Sequence, residues 1–181
     1  MLSTLTTTFL GISLLTVLSP AQEPPGKKIP SVTLLPPPVA TVTRGKPNTV
    51  ELQFHVSSGF HVNSNKPSAD YLIPTALKLN APTDIVLGRI TYPEGQEMSF
   101  AFAPNEKLSV YSGEFDLQVM VRPLASVLPG KYEFHGQLKY QACDNAACYP
   151  PKQLPVRFEV KVVKAPPPPQ KNPAQSPHIH N

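Results

Sequence analysis

The chain has 181 residues, of which 24 are proline and two are cysteine, and its 16 Lys+Arg against 12 Asp+Glu leave a formal net charge of +4. That length suits one domain of ordinary size. The basic excess is mild and scattered, without a run of five Lys or Arg, which argues against nucleic acid and at most favours an acidic partner surface.

Residues 5–18, "LTTTFLGISLLTVL", are apolar but short for a membrane span. Ser19 and Ala21 put small residues at −3 and −1 of a cleavage point after Ala21, so residues 1–21 read as a secretory signal peptide. No Lys or Arg precedes the apolar run, leaving the terminal amine as the only n-region charge. A buried N-terminal helix is the competing reading, and β-branched residues in "TLTTTF" disfavour it. Export to the periplasm or beyond would let a disulfide form and persist. No membrane span is expected in the mature chain.

Residues 22–38 hold six prolines and read as an extended lead-in, with room for one edge strand at 31–35. From 39 to 163 the pattern turns to period two. "VELQFHV" sets Val50, Leu52, Phe54 and Val56 on one face; "FDLQVMV" does the same with Phe115, Leu117, Val119 and Val121. "YEFHGQLKY" aligns Tyr132, Phe134, Leu138 and Tyr140, and "VRFEVKV" aligns Val156, Phe158, Val160 and Val162. Weaker strands are expected at 73–79 and 85–92. Proline or glycine interrupts nearly every helical window. Six to eight short strands with turns between them predict an all-β, antiparallel β-sandwich, monomeric, and the absence of Trp and of two widely spaced cysteines removes its antibody-type version. Residues 164–181, "KAPPPPQKNPAQSPHIHN", read as a disordered proline-rich tail.

The two cysteines lie in "YQACDNAACYPP", residues 140–151. Asp144 and Asn145 favour a turn, so a four-residue hairpin loop would set Cys143 opposite Cys148 at a separation a disulfide can bridge. Three readings follow. A structural staple over about six residues is worth roughly 2 kcal/mol, against about 4.7 for a loop of a hundred. A bond that stabilises so little can also be opened at little cost, which suits redox exchange. A metal site lacks ligands: His135 is the nearest histidine, and no copper, haem or C-x-x-C pattern surrounds the pair. No cofactor or metal is expected. His178 and His180 read as tail decoration, and His55, His61 and His135 as solvated residues on polar faces or turns.

The flanks of the pair resemble the active-site hairpin of the N-terminal periplasmic domain of the DsbD thiol:disulfide interchange family, where Tyr-Gln-X-Cys meets Cys-Tyr/Leu-Pro-Pro. "GFHVNSNKPSADYLIPTALKL" at 59–79, and "YPEG" at 92–95 through "LSVYSGEFDLQV" at 108–119, are similar too, in the same order and spacing. The resemblance implies an immunoglobulin-like sandwich whose Cys143 and Cys148 form a reversible pair, with Cys148 in the position that joins partners in a mixed disulfide. It also implies a cap loop with an aromatic residue. The corresponding stretch, "QEMSFAFAPNEK" at 96–107, offers Phe102 or Phe100, although it departs from the family in length and both could equally be core residues. Tyr140 and Tyr149 flank the pair; Tyr140 also fits as the last core residue of its strand. Full-length members continue into a membrane domain and a thioredoxin-like domain. This chain reads as a free-standing copy, whose partners would be thioredoxin-like redox proteins and a separate membrane electron donor. The competing reading is a non-catalytic binding or scaffold sandwich with a static disulfide.

Overall fold

A computed structural model describes residues 29–37 and 39–166. The signal peptide expected over 1–21, and His178 and His180, lie outside the described residues. Twelve strands follow in chain order: β1 (Val32–Leu34), β2 (Ala40–Thr43), β3 (Asn48–Val56), β4 (His61–Asn63), β5 (Ala76–Asn80), β6 (Ile85–Thr91), β7 (Gln96–Phe100), β8 (Ala103–Tyr111), β9 (Glu114–Pro123), β10 (Gly130–Tyr140), β11 (Ala142–Cys143) and β12 (Lys152–Val163). No helix is found among them, and none therefore is long and apolar enough to cross a membrane.

The strands form three four-stranded sheets, ordered β1-β3-β9-β6, β2-β12-β10-β5 and β11-β4-β8-β7. All pairings are antiparallel except β2 with β12. The first two sheets make the immunoglobulin-like sandwich that the sequence predicts. Period two turns one face of each strand inward, so Leu52, Phe54, Leu117, Val119 and Val121 of one sheet join Phe134, Leu138, Val156, Phe158 and Val160 of the other in one buried cluster. Phe54 stacks on Phe115 at 5.5 Å, and Phe134 on Phe158 at 4.8 Å. Removing each such side chain from water contributes about 1.5–3 kcal/mol. Pro155 sits inside β12 where β2 has not yet joined, since β2 pairs only with Val160 to Val163, so the missing N–H falls on a strand with one neighbour.

The strand anticipated in the lead-in exists as β1, on the edge of the first sheet beside β3. The strand count exceeds the six to eight expected. The additional ones are short or lack alternation: β2, β4, β7 and β11 have two to five residues each, and β8 has four consecutive exposed positions. Four of these belong to the third sheet, which carries its own small cluster of Leu72, Phe100, Ala103, Leu108 and Val110. That sheet presents the cysteine pair.

Candidate functional site: the Cys143–Cys148 hairpin

β10 and β12 pair antiparallel from Gly130↔Val162 to Tyr140↔Lys152, and beyond that ladder the chain continues into the cysteine loop. There Cys143 and Cys148 stand opposite each other as an antiparallel bridge and are joined by a disulfide with Cα atoms 3.9 Å apart. The four-residue loop between them closes with the Asp144 N–H donating to the Ala147 carbonyl at 2.9 Å. Its conformation is fixed by the Asp144 carboxylate. Oδ1 accepts from the Ala146 and Ala147 N–H groups at 2.8 and 2.9 Å, and Oδ2 accepts from the Tyr149 hydroxyl at 2.6 Å. These are the side-chain bonds to nearby backbone by which Asp stabilises a turn. The Tyr149 bond, followed by the two backbone donors, holds the Asp144 carboxyl below its ordinary range, and the same carboxylate pushes the Tyr149 phenol up.

Gln141 anchors the hairpin to the neighbouring chain. Its Oε1 accepts from Asn63 Nδ2 at 3.1 Å and from the Ile73 N–H at 3.2 Å, while its Nε2 donates to the Tyr149 carbonyl at 3.3 Å. Asn63 Nδ2 also donates to the Ile73 carbonyl at 3.0 Å, and the Thr75 hydroxyl donates to the Asn63 carbonyl at 2.6 Å. The Gln of "YQAC" and the Asn of "GFHVN" thus form one polar network behind the cysteines. The two cysteines differ in burial: Cys143 is 0 % exposed, whereas Cys148 is partly exposed. A groove of about 800 Å³, lined by Ser64, Lys66, Arg89 and Glu94 among others, includes neither cysteine.

A family model described as "Thiol:disulfide interchange protein DsbD, N-terminal" matches residues 31–159. The chain belongs to the DsbD N-terminal domain family. Among solved structures it is similar to the reduced DsbD N-terminal domain of Neisseria meningitidis, at 22% identity over 62% of this chain and 77% of that one, with a TM-score of 0.40. It is also similar to a structure of the complex between the DsbD N-terminal and PilB N-terminal domains from Neisseria meningitidis, at 24% identity over 60% and 73%, with a TM-score of 0.39. A third likeness is the N-terminal periplasmic domain of ScsB from Proteus mirabilis, at 11% identity over 70% and 44%, with a TM-score of 0.40. No curated protein matches the chain. DsbD N-terminal membership and the disulfide-bonded Cys143 and Cys148 together fit thiol–disulfide exchange.

The aromatic residues singled out in the sequence fall in two groups. Tyr140 is buried in the sandwich core, and its hydroxyl accepts from the Val32 N–H at 3.3 Å, tying β1 to the end of β10. Tyr149 is half-buried, its ring edge-on to Phe60 at 5.8 Å. Phe100 ends β7 and Phe102 occupies the turn into β8; their rings stack at 5.5 Å. Phe100 is buried and Phe102 half-buried. β8, which follows that turn, is tied to the 65–75 loop: the Tyr71 hydroxyl donates to Glu106 Oε2 at 3.0 Å and the Ser109 N–H donates to Ser68 Oγ at 3.0 Å.

One expectation is overturned. His61, read as solvated, is 4 % exposed and stacks on Phe100 with ring centroids 3.9 Å apart. The cause is its strand: β4 lies inside the third sheet between β11 and β8, and all three of its residues are buried, so alternation leaves no polar face there. Burial pushes the imidazole down to about 4, against a smaller upward pull from Asp144. His55 is half-buried, and His135 is half exposed beside Glu133 at 3.5 Å. Among the described residues, no group of three or more His, Cys, Asp or Glu could hold a metal ion.

Proposed function

We propose that this chain is an exported thiol–disulfide exchange domain that shuttles Cys143 and Cys148 between disulfide and dithiol, relaying reducing equivalents to other exported proteins. The single observation that carries the reading is the unequal burial of the two cysteines within a family-typical hairpin, with Cys143 fully buried and Cys148 partly exposed. Because Cys143 is fully buried, a partner thiolate attacks at Cys148. In-line attack there forms the mixed disulfide and breaks the Cys143–Cys148 bond. Cys143 leaves as a thiolate and takes up a proton, and the partner's second thiolate then displaces Cys148 by attacking its own mixed-disulfide sulfur. Two electrons enter the domain as the partner's dithiol becomes a disulfide. Delivery runs the same steps backwards: the Cys148 thiolate attacks an oxidised target, and Cys143 resolves the mixed disulfide.

The surrounding assignments belong to the same reading. Residues 1–21 are removed after Ala21 on export to the periplasm, 22–38 form the lead-in, 39–163 the exchange domain and 164–181 a proline-rich tail. Reducing equivalents come from a thioredoxin-like protein fed by a separate membrane electron donor. Phe100 and Phe102 serve as the lid that limits access of small oxidants to the pair, a role supported by their stack over His61.

Equilibration of the purified mature chain with glutathione buffers, followed by thiol counting, tests the relay. A working pair has a midpoint above about −300 mV; one well below that is a resistant structural bond, and the chain is then a scaffold with a static disulfide. Trapping tests the roles. Cys143→Ala is expected to accumulate a mixed disulfide through Cys148 with a thioredoxin-like protein, and accumulation only in Cys148→Ala reverses the assignment.

A further inference from the structure

Three side chains stand in one row across three neighbouring strands. β11 pairs with β4 so that Cys143 lies directly opposite His61, and the bridge on its other side places Cys148 opposite Cys143. Directly paired residues in an antiparallel ladder project to the same face with Cβ atoms about 4.5–5.5 Å apart. The imidazole, the buried sulfur and the partly exposed sulfur therefore share one face of the third sheet, in that order. Phe100 covers the imidazole at 3.9 Å and Phe102 extends the stack. Within this site His61 Nε2 is buried and finds no hydrogen-bond partner among the described residues. Buried polar atoms are nearly always paired, so an orphan calls for a state in which it is satisfied.

We propose that His61 is a third member of the exchange site, its Nε2 forming a hydrogen bond with the Cys143 sulfur whenever the disulfide is open. This rests on the exchange reading of the pair. In the disulfide, Cys143 Sγ carries no proton and is at best a weak acceptor. When a partner thiolate attacks Cys148 and the S–S bond breaks, the electron pair of that bond stays on Cys143 Sγ, in a residue that is buried in the disulfide form. A thiolate there accepts from an imidazole N–H; the thiol formed when a solvent proton arrives donates to an imidazole nitrogen. A neutral imidazole can do either, and burial keeps His61 neutral near pH 7. The bond exists only in the open states, so it stabilises the mixed disulfide and the dithiol relative to the disulfide, and it favours Cys143 as the leaving sulfur.

The test compares the full mature chain with His61→Phe, which keeps the stack on Phe100 but has no nitrogen, and with His61→Gln, which keeps a donor and an acceptor. Each is equilibrated in thiol redox buffers at pH 7 and its thiols are counted. The expected result is about a tenfold fall in the equilibrium constant for reduction in His61→Phe, a midpoint roughly 30 mV more negative, with part of the shift recovered in His61→Gln. An unchanged midpoint in His61→Phe, or an equal shift in both variants, overturns the proposal and leaves His61 a core residue. The relay fails on the absolute midpoint of the wild-type chain, whereas this inference fails on the difference between variants. A measurement on the unaltered protein covers the case in which a variant does not fold. The ¹⁵N shift of His61 Nε2 should move on reduction while those of His55 and His135 stay in place, and an unmoved Nε2 signal refutes the bond.

Discussion

His61 carries a consequence for the stability of the disulfide form. Its imidazole titrates near 6.5 in an unfolded chain and about 4 in the fold, so the unfolded chain binds the proton more tightly. The stability that burial of the neutral ring contributes is therefore complete above about pH 6.5 and lost as pH falls toward 4. Urea midpoints measured from pH 7.5 to 4.5 should fall in the wild-type chain and fall much less in His61→Phe; parallel curves would refute the assignment. Asp144 acts in a lower window. Its carboxyl is depressed by the Tyr149 hydroxyl and two backbone donors, so its contribution is present above the ordinary carboxylate range and disappears only as pH drops through the lowered value. Asp144→Asn should leave the fold intact while loosening the loop, seen as faster amide exchange at Ala146 and Ala147, whose N–H groups point at the altered side chain.

At the level of elements, β10 works as the spine because it pairs with β12 along its whole length and with β5 from His135 to Lys139. Gly136 makes the second pairing possible: a Cβ there would run into the Lys78 carbonyl oxygen and the Leu79 side chain of β5. Gly136→Ala is expected to cost about 1–3 kcal/mol by displacing β5, read as a lower urea midpoint and faster exchange of β5 amides; an unchanged midpoint would mean the sheet absorbs the methyl group. The strands with long alternating runs, such as "VELQFHV" and "VRFEVKV", were legible because one of their faces meets the sandwich core and the other does not. β4 was not, because three residues buried on both faces carry no period. β7 hid for the opposite reason, being exposed at every position except Phe100. The cysteine hairpin was readable from "CDNAAC" and its Pro-Pro exit. Its neighbours His61 and Asn63 come from some eighty residues upstream, and only pairing of β4 with β11 brings them together. A histidine flanked by Phe60 and Val62 within a stretch shared with the family was the one available signal, and its burial follows from tertiary context alone.

For the whole molecule, the question is whether opening the disulfide threatens the fold that presents it. The sandwich core is built from two sheets whose buried cluster runs from Val32 to Val162, and neither cysteine belongs to that cluster. The bridge spans five positions of sequence, so in the chain-entropy model its removal costs about 2 kcal/mol. Ordinary domains have about 5–15 kcal/mol in hand. The hairpin is also held by bonds that do not involve sulfur: the Tyr149 N–H to the Ala142 carbonyl, Gln141 to Asn63 and Ile73, and Asp144 to its own loop. The dithiol form should therefore remain folded, with a urea unfolding free energy no more than about 2 kcal/mol below that of the disulfide form and an unchanged m-value. Unfolding on reduction, or a gap above about 5 kcal/mol, would identify the bond as a structural staple. By linkage such a gap would also make the midpoint of the folded pair about 110 mV more negative than that of the unfolded chain.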